Sequence, residues 1–302
     1  AQQGTKVCQR KIPHPVREPV HLGLVDTRRE IHAAAEWARR ILENEPETTS
    51  PNFRIGVIVP DLAGRRSHIE RVFAETFHPR TRLRPDLDSK RLFNISLGLS
   101  TVEYPIIQTA FVLLETSPRA IAIETASQLL RSPFLQGSEE ELTGRALLDV
   151  ALRSLGEPVI SLTDIIKLAH NGEASYRCPN LASRLLVWLE QHQAMQTTRI
   201  PSDWAPFLSE FLQAVGWPGD RGIDSAEHQT LEVWNELLSE LARLDRVSGR
   251  IALGTAVGKL KRLASTRLFQ PESEPAPVQV MGLLEASGPV SYTHLTLPTI
   301  LL

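Results

Sequence analysis

The sequence contains few cysteines, few methionines and almost no excess charge. Two cysteines, two methionines and a formal net charge of −2 are spread over 302 residues. Cys8 and Cys178 lie far apart and form no cluster with metal-ligand spacing, so we expect reduced thiols, as in a cytoplasmic protein. The near-neutral net charge gives no indication that the whole chain binds a polyanion, although a local basic groove is compatible with this charge.

Long hydrophobic runs are also missing. No apolar stretch approaches the roughly 20 residues that a membrane-spanning helix needs, and residues 1–6 have no signal-peptide core. We therefore expect no membrane partner. The chain does not begin with Met, and we expect it to be a fragment at that end.

The sequence has no P-loop of the form G-x-x-x-x-G-K-[ST]. Residues 254–259 contain two glycines and a lysine, but their spacing is wrong and they lie in a helical apolar pattern. We expect an ordinary helix there. The histidines are scattered and suggest no catalytic set, so no catalytic residue and no metal ligand are predicted.

The C-terminal residues 289–302 are unlike the rest of the chain. Their sequence, PVSYTHLTLPT followed by ILL, resembles the in-frame translation of a sequencing-library adapter. We expect this tail to be non-native and the natural chain to be interrupted after Gly288.

The N-terminal part predicts alternating strands and helices. Residues 1–20 predict an extended lead-in because they are polar and proline-containing. The apolar run at residues 21–25 predicts a short buried strand. Asp26 or Thr27 then begins a helix with apolar residues at helical spacing. These are Ile31, Ala34, Ala35, Ala38, Ile41 and Leu42.

The strongest strand signal is RIGVIVP at residues 54–60. Its β-branched residues show no polar alternation, which is typical of a strand buried on both faces of a parallel sheet. Residues 61–66 predict a turn and residues 67–77 a helix. We therefore assign residues 21–104 to an α/β half-domain.

Residues 105–270 predict a helical subdomain, because apolar residues recur there at helical spacing. Ser138 and Glu141 have the spacing of a capping box at a helix start. Four of the five tryptophans lie in this part, and we expect core packing rather than base stacking. After a proline-rich linker, a strand returns within residues 271–288.

This order predicts the fold class α/β with a large all-helical insertion. A lone strand at the end of the chain could not bury both faces. We therefore expect residues 54–60 and 278–281 to be neighbours in one sheet.

The two strand regions carry a family resemblance. Residues 54–73 resemble the motif IV strand, turn and helix of UvrD-type helicases, and VQVMGLLEASG at residues 278–288 resembles the motif V strand and loop. The segment GLLEA is similar to the corresponding segment of the B subunit of AddAB-type helicase–nucleases. It is also similar to that of a related bacterial DNA-repair family with a PD-(D/E)XK nuclease domain. The resemblance implies an incomplete parallel-sheet, RecA-like second helicase domain.

The resemblance also implies which motor residues are replaced. Pro60, beside Val59 and Asp61 in the motif IV-like segment, stands where active motors usually have arginine. Gly282 and Leu284 stand where motif V usually has Thr and His. The remaining motif V-like positions are Glu285 and Gly288. We expect a helicase-like scaffold that guides DNA, with motor residues degenerate and the nuclease domain missing downstream.

The implied parent protein would use Mg²⁺ for its nuclease, whereas ATP use stays open. No cofactor is expected in this fragment. DNA, as a single strand or a duplex end, and a helicase–nuclease partner subunit are the expected partners. Two alternatives stay open: a fragment of an active UvrD-type ATP-dependent helicase, or a helical protein-interaction scaffold.

Residues 54–91 are the most basic part of the chain, with nine Lys and Arg against five acids. We expect Arg65 and Arg66 in the loop after the strand, where open α/β sheets bind ligands. A basic groove without base-reading motifs suits contacts to the phosphate backbone. The candidate DNA-contacting residues are Arg65, Arg66, Arg71, Arg80, Arg82 and Arg84.

Overall fold

A computed structural model describes residues 20–44, 53–79, 91–272, 275–287 and 299–301. The chain divides into two compact units. One unit combines residues 1–93 with residues 276–302, and the other comprises residues 94–275. The second unit therefore interrupts the first in sequence.

The described residues form an α/β structure in which helices predominate. The helices are α1 (Thr27–Asn44), α2 (Leu62–Phe77), α3 (Pro105–Glu115), α4 (Ile123–Leu130), α5 (Leu142–Ser154), α6 (Leu162–Asn171), α7 (Pro179–Gln191), α8 (Pro201–Ala214), α9 (Ser225–Ala242), α10 (Asp245–Ser248), α11 (Leu253–Thr266) and α12 (Leu283–Ser287). The strands are β1 (Ile55–Val59), β2 (Phe93–Ile95), β3 (Leu99–Ser100), β4 (Ile121–Ala122), β5 (Val159–Ile160), β6 (Thr198–Arg199), β7 (Ile251–Ala252), β8 (Leu268–Phe269), β9 (Val278–Gly282) and β10 (Thr299–Leu301).

The main sheet has the strand order β10-β1-β9-β2. Strands β1 and β9 are parallel and fully in register, from Ile55 opposite Val278 to Val59 opposite Gly282. Ile55, Val57 and Val278 are buried, as the uninterrupted apolar pattern of β1 requires. The predicted pairing of the two strand regions is confirmed.

Helices α1 and α2 pack against each other beside this sheet. The buried face of α1 consists of Ile31 and three alanines, whose small side chains allow a close approach. Asp26 begins α1, because its carboxylate accepts the Arg29 N–H at 2.8 Å. In α2, Phe73 and Phe77 stack at 5.8 Å between ring centroids, and Phe93 packs against both rings.

Two local predictions in this unit are wrong. The predicted strand at residues 21–25 has no regular structure, and Val20, Leu22 and Val25 are exposed. An apolar run becomes a strand only where a neighbouring strand pairs with it. Residues 62–66 belong to α2 rather than to a turn, because the Asp61 side chain accepts the Gly64 N–H at 3.2 Å and starts the helix early.

Part of the predicted adapter-like tail pairs with the sheet. β10 lies parallel to β1, with Gly56 opposite Thr299 and Ile58 opposite Leu301. A parallel ladder is built from backbone amides and carbonyls, so this pairing does not depend on a native sequence. Residues 1–19 and 288–298 lie outside the described residues.

Residues 94–275 contain a separate hydrophobic core. Trp188, Trp204, Trp217 and Trp234 are buried in it, which confirms core packing for these four. The indole N–H groups of Trp204 and Trp217 donate to the carbonyls of Ile251 and Ile106, both at 2.9 Å. Among the described residues, no helix has the length and apolar character to cross a bilayer.

The predicted insertion is not all-helical. Two antiparallel two-residue ladders, β4–β5 and β6–β7, lie within it, and a third joins its strand β8 to β3, just before residue 105. Two-residue strands are too short to leave a periodic pattern in the sequence. Residues 254–259 are part of α11, as predicted.

The predicted capping box at residues 138–141 is also wrong. Helix α5 begins at Leu142, and the Ser138 hydroxyl donates to the Pro133 carbonyl. The Glu141 side chain instead accepts the N–H groups of Asn180 and Leu181, at 2.6 and 3.1 Å. Glu141 therefore provides the hydrogen-bond acceptor for two N–H groups in the first turn of α7, a helix remote in sequence. The structure has a capping box elsewhere, where Asp224 precedes α9 and Glu227 lies in its first turn.

Glu141 also forms a buried ion pair. Its carboxylate lies 3.1 Å from the Arg145 guanidinium, and the two side chains are 7% and 2% exposed. Arg145 further donates to the Gln136 carbonyl at 2.5 Å. The carboxylate therefore neutralises a buried cation and holds α5 against α7.

We predict that Glu141→Gln destabilises the unit of residues 94–275 by about 3–5 kcal/mol, because Arg145 would remain buried without a counter-charge. Chemical denaturation followed by tryptophan fluorescence measures this, since four of the five tryptophans lie in that unit. The exposed neighbour Glu139 provides the control, and Glu139→Gln should change stability by less than about 0.5 kcal/mol. Equal effects of the two variants would contradict a structural role for the ion pair.

Candidate functional site

The carboxyl edge of the parallel sheet is the first candidate site. Because β1 and β9 are in register, Val59 and Gly282 end side by side. Pro60 is exposed in the turn that follows β1, and α2 and α12 start directly after the two strands. Open α/β sheets usually bind ligands at this edge. The motif IV-like and motif V-like residues thus lie together.

Carboxylates of the chain itself occupy this edge. Asp61 accepts the Gly64 N–H at 3.2 Å, and Glu285 accepts the Gly282 N–H at 3.0 Å. A Cβ placed on Gly64 would lie 2.8 Å from the Asp61 carboxylate, which shows how closely this group covers the first turn of α2.

A phosphate at the carboxyl edge would meet two negative charges instead of free N–H donors. Pro60 carries no charge and no N–H donor. The residues present therefore do not fit the phosphates of ATP. The motif V-like Gly288 lies outside the described residues, and of Leu284 only the backbone, in α12, is described. The described ranges also hold no group of three or more His, Cys, Asp or Glu side chains that could bind a metal ion.

The predicted DNA-contacting arginines are placed differently from expectation. Arg65 and Arg66 lie in the first turns of α2 and not in a loop, because Asp61 starts the helix. Arg65 lies 3.7 Å from Asp61, and Arg66 lies 2.9 Å from Glu70 with its side chain only 13% exposed. Their charges are thus partly neutralised. Arg80, Arg82 and Arg84 lie outside the described residues.

Arg71 belongs to a second group of basic residues on α1 and α2. The Arg71 guanidinium lies 3.0 Å from His68 Nδ1, so the arginine donates and the ring nitrogen accepts. The charges of Arg28 and His32 of α1 also act on His68, together with that of Arg71. We call Arg28, His32, His68 and Arg71 the α1–α2 cluster.

Burial and positive neighbours keep the His68 ring neutral. Burial is the largest effect that lowers the pKa of His68, followed by the charges of Arg71, Arg28 and His32, while Glu75 opposes them. Burial and the charge of Arg91 likewise lower the pKa of His78. The His78 Nε2 atom accepts the Leu92 N–H at 3.4 Å, a bond that requires an unprotonated nitrogen.

Arg28, His32 and His68 were not predicted as site residues. The histidines looked like scattered surface or packing residues, because a sequence does not show which faces of two helices meet. One signal was present: Arg28 and His32 are spaced i, i+4, and His68 and Arg71 are spaced i, i+3. Each pair therefore lies on one side of its own helix.

We predict that stability falls as the pH decreases from about 7 towards 5. The folded state lowers the pKa of His68 and His78 below the ordinary value of 6.5, so the unfolded chain binds protons first. The contribution of the two neutral rings to stability is complete above the unfolded pKa of about 6.5 and is lost as the pH falls through the pKa of the folded state. Urea unfolding at several pH values measures this loss.

The double variant His68→Gln/His78→Gln should reduce the pH dependence, because glutamine keeps an acceptor but does not titrate in this range. His170→Gln, at an exposed position, is the control. A pH dependence that remains the same in the double variant would contradict this origin.

Comparison with known proteins assigns the chain to no family. No protein-family model matches it, and no match is found among proteins of described function. The function must therefore be inferred from the residues and the geometry given above.

Proposed function

We propose that the chain is part of a DNA-repair protein of the helicase–nuclease type, in which it acts as a helicase-like scaffold that guides DNA. Its sheet would belong to a RecA-like second domain with a helical insertion between two neighbouring strands. The parent protein would bind Mg²⁺ for its nuclease, and a helicase–nuclease subunit would be its protein partner.

The observation that carries this proposal is the parallel, in-register pairing of β1 with β9, two strands between which the helical unit lies in sequence. A parallel neighbour so distant in the chain is what an insertion between two sheet strands produces. The segments that resemble motifs IV and V end at the same edge as a result. The order of the two motif-like segments, the pairing of their strands and the helical unit between them in sequence together support the helicase-like architecture.

The composition of the carboxyl edge supports a scaffold rather than a motor. Phosphoryl transfer needs cationic groups over the transferred phosphate. This edge instead presents Asp61, Glu285 and Pro60, and the nearest arginine on the described part of α2, Arg65, is paired with Asp61. An active UvrD-type helicase is therefore the less favoured interpretation.

One observation favours a second function, a scaffold for protein contacts. Helix α5 turns Arg145 and Asp149 inwards, where they are 2% and 8% exposed. Its outward side carries Leu142, Leu147 and Val150 with 68%, 40% and 59% exposure. An apolar outer face is typical of a surface that contacts another protein.

Val150→Glu should weaken a protein contact at this face of α5 and leave DNA binding unchanged, which separates the two functions.

We predict that the chain binds single-stranded DNA and that Arg65→Glu weakens this binding. Each phosphate contact that is lost should reduce the slope of log K against log salt by about 0.7 for a single strand. Fluorescence anisotropy with labelled oligothymidine at several salt concentrations measures both quantities. Arg66 is left unchanged in this variant, because its ion pair with Glu70 supports the helix.

Arg243→Glu makes the same charge change in the helical unit and should leave the salt slope unaltered. Absence of DNA binding by the wild-type chain would contradict the proposed function. So would ATP hydrolysis by the parent protein that is lost when Pro60, Asp61 or Arg65 is changed, because the scaffold proposal gives these residues no role in hydrolysis.

A further inference from the structure

The outward side of α5 is uncharged along its whole length. Residues spaced four, three and four positions apart lie on one line of a helix. In α5 this line is exposed and consists of Thr143, Leu147, Val150 and Ser154. A surface helix usually carries charged residues on its solvent side, whereas Arg145 and Asp149 of α5 are buried. The outward line therefore has the composition of a contact surface.

The two ends of α5 have different shapes. Leu142 protrudes at the N-terminal end with 68% exposure. Near the C-terminal end lies an open depression of about 300 Å³, which can admit a leucine side chain and is lined by Ile123, Arg153, Gly156, Glu157 and Pro158. Leu142 and Arg153 are eleven residues apart, which is about three helical turns, so both lie on the same side of α5. They are separated by about 17 Å along the helix axis.

The two ends also differ in charge. Two exposed glutamates, residues 139–140, lie just before the N-terminal end. At the other end, the Nε atoms of Arg131 and Arg153 lie 3.8 and 3.2 Å from the Asp149 carboxylate. Both arginine side chains are exposed, whereas that of Asp149 is largely covered. Glu157 lies beyond ion-pair distance from Arg153, so two exposed cations share one covered carboxylate at this end.

We propose that this face of α5 binds a second copy of the chain, with the two α5 helices antiparallel about a twofold axis. A twofold axis that crosses α5 at right angles reverses the two ends and keeps each side of the helix opposite the same side of the other copy. Leu142 of each copy then enters the depression at the C-terminal end of the other. The glutamates at residues 139–140 come next to Arg131 and Arg153 of the other copy, so shape and charge are both complementary.

The size of the contact sets its expected strength. Helix α5 has 13 residues and is therefore about 20 Å long and about 10 Å wide. Two such faces bury much less than the roughly 1,200 Å² at which standard-size interfaces begin. We therefore expect a weak dimer that forms as the concentration rises. This inference rests on the second function proposed above, a scaffold for protein contacts, and names its partner; it does not depend on DNA binding.

Sedimentation velocity of the intact chain between about 5 and 500 µM tests the dimer, because this range covers weak association. The sedimentation coefficient should rise with concentration. Leu142→Ala should weaken the dimer about tenfold or more, since each copy loses a buried leucine. Val150→Glu should keep the chain monomeric, because it places two like charges near the axis. Val247→Glu, at an 85% exposed valine of α10, makes the same change elsewhere and should leave the dimer intact.

Disulfide cross-linking tests the antiparallel arrangement. If Leu142 lies opposite Arg153 of the other copy, the axis passes close to Leu147. Leu147→Cys should therefore give a disulfide-linked dimer under mild oxidation. Leu142→Cys should not, because its two copies would be about 17 Å apart along the helices, and a disulfide needs Cα atoms within about 7 Å. The native cysteines are present in both variants and give the same background.

A chain that stays monomeric at about 500 µM, or a dimer that Val150→Glu and Val247→Glu weaken equally, would overturn the proposal. Equal cross-linking of Leu147→Cys and Leu142→Cys would also overturn it. If the chain is monomeric and Val150→Glu weakens its contact with a different protein, the second copy is excluded and the scaffold for protein contacts stands. The oligothymidine assay is independent of these outcomes: a monomer that binds DNA overturns the dimer alone, and a dimer that binds no DNA overturns the DNA-guiding function alone.

Discussion

The parallel ladder between β1 and β9 is the constraint on which the α/β unit depends. It joins two strands that lie on either side of the helical unit in sequence, and its register places Val59 beside Gly282. A slip by one residue would turn every side chain of a strand to the opposite face. The buried Ile55, Val57 and Val278 therefore fix both the register and the position of the carboxyl edge.

The same electrostatic arrangement recurs at several backbone N–H groups next to helix starts. Asp61 and Glu285 each accept an N–H three positions away in sequence, and Glu141 accepts two N–H groups of α7 from 39 and 40 positions away. Each carboxylate takes a place that an anionic ligand could otherwise occupy. An N–H group at such a helix start can bind either a carboxylate of the chain or an external anion. Here carboxylates of the chain itself accept these N–H groups.

Positive charge on the described part of the α/β unit is consequently less neutralised where acids are scarce. On α2, Arg65 and Arg66 lie near carboxylates one turn away. Arg71 instead donates to the His68 ring, on which the charges of Arg28 and His32 also act. A local charge count over residues 54–91 gives Arg65, Arg66 and Arg71 equal weight and leaves out Arg28, which lies outside that stretch. The distinction matters for any interaction with phosphates, since paired cations release fewer counterions than unpaired ones.

The sequence by itself determined the elements whose signals are local and long: the strand at β1, the amphipathic α1 and the returning strand β9. It also predicted their pairing, because one lone strand cannot bury its faces. Tertiary structure decided the rest. The apolar residues 21–25 form no strand without a partner. Glu141 caps a distant helix rather than its own, and the charge of Arg28 acts on His68 only because α1 packs on α2. Each of these outcomes depends on a neighbour that is remote in sequence, and a local pattern carries no information about it.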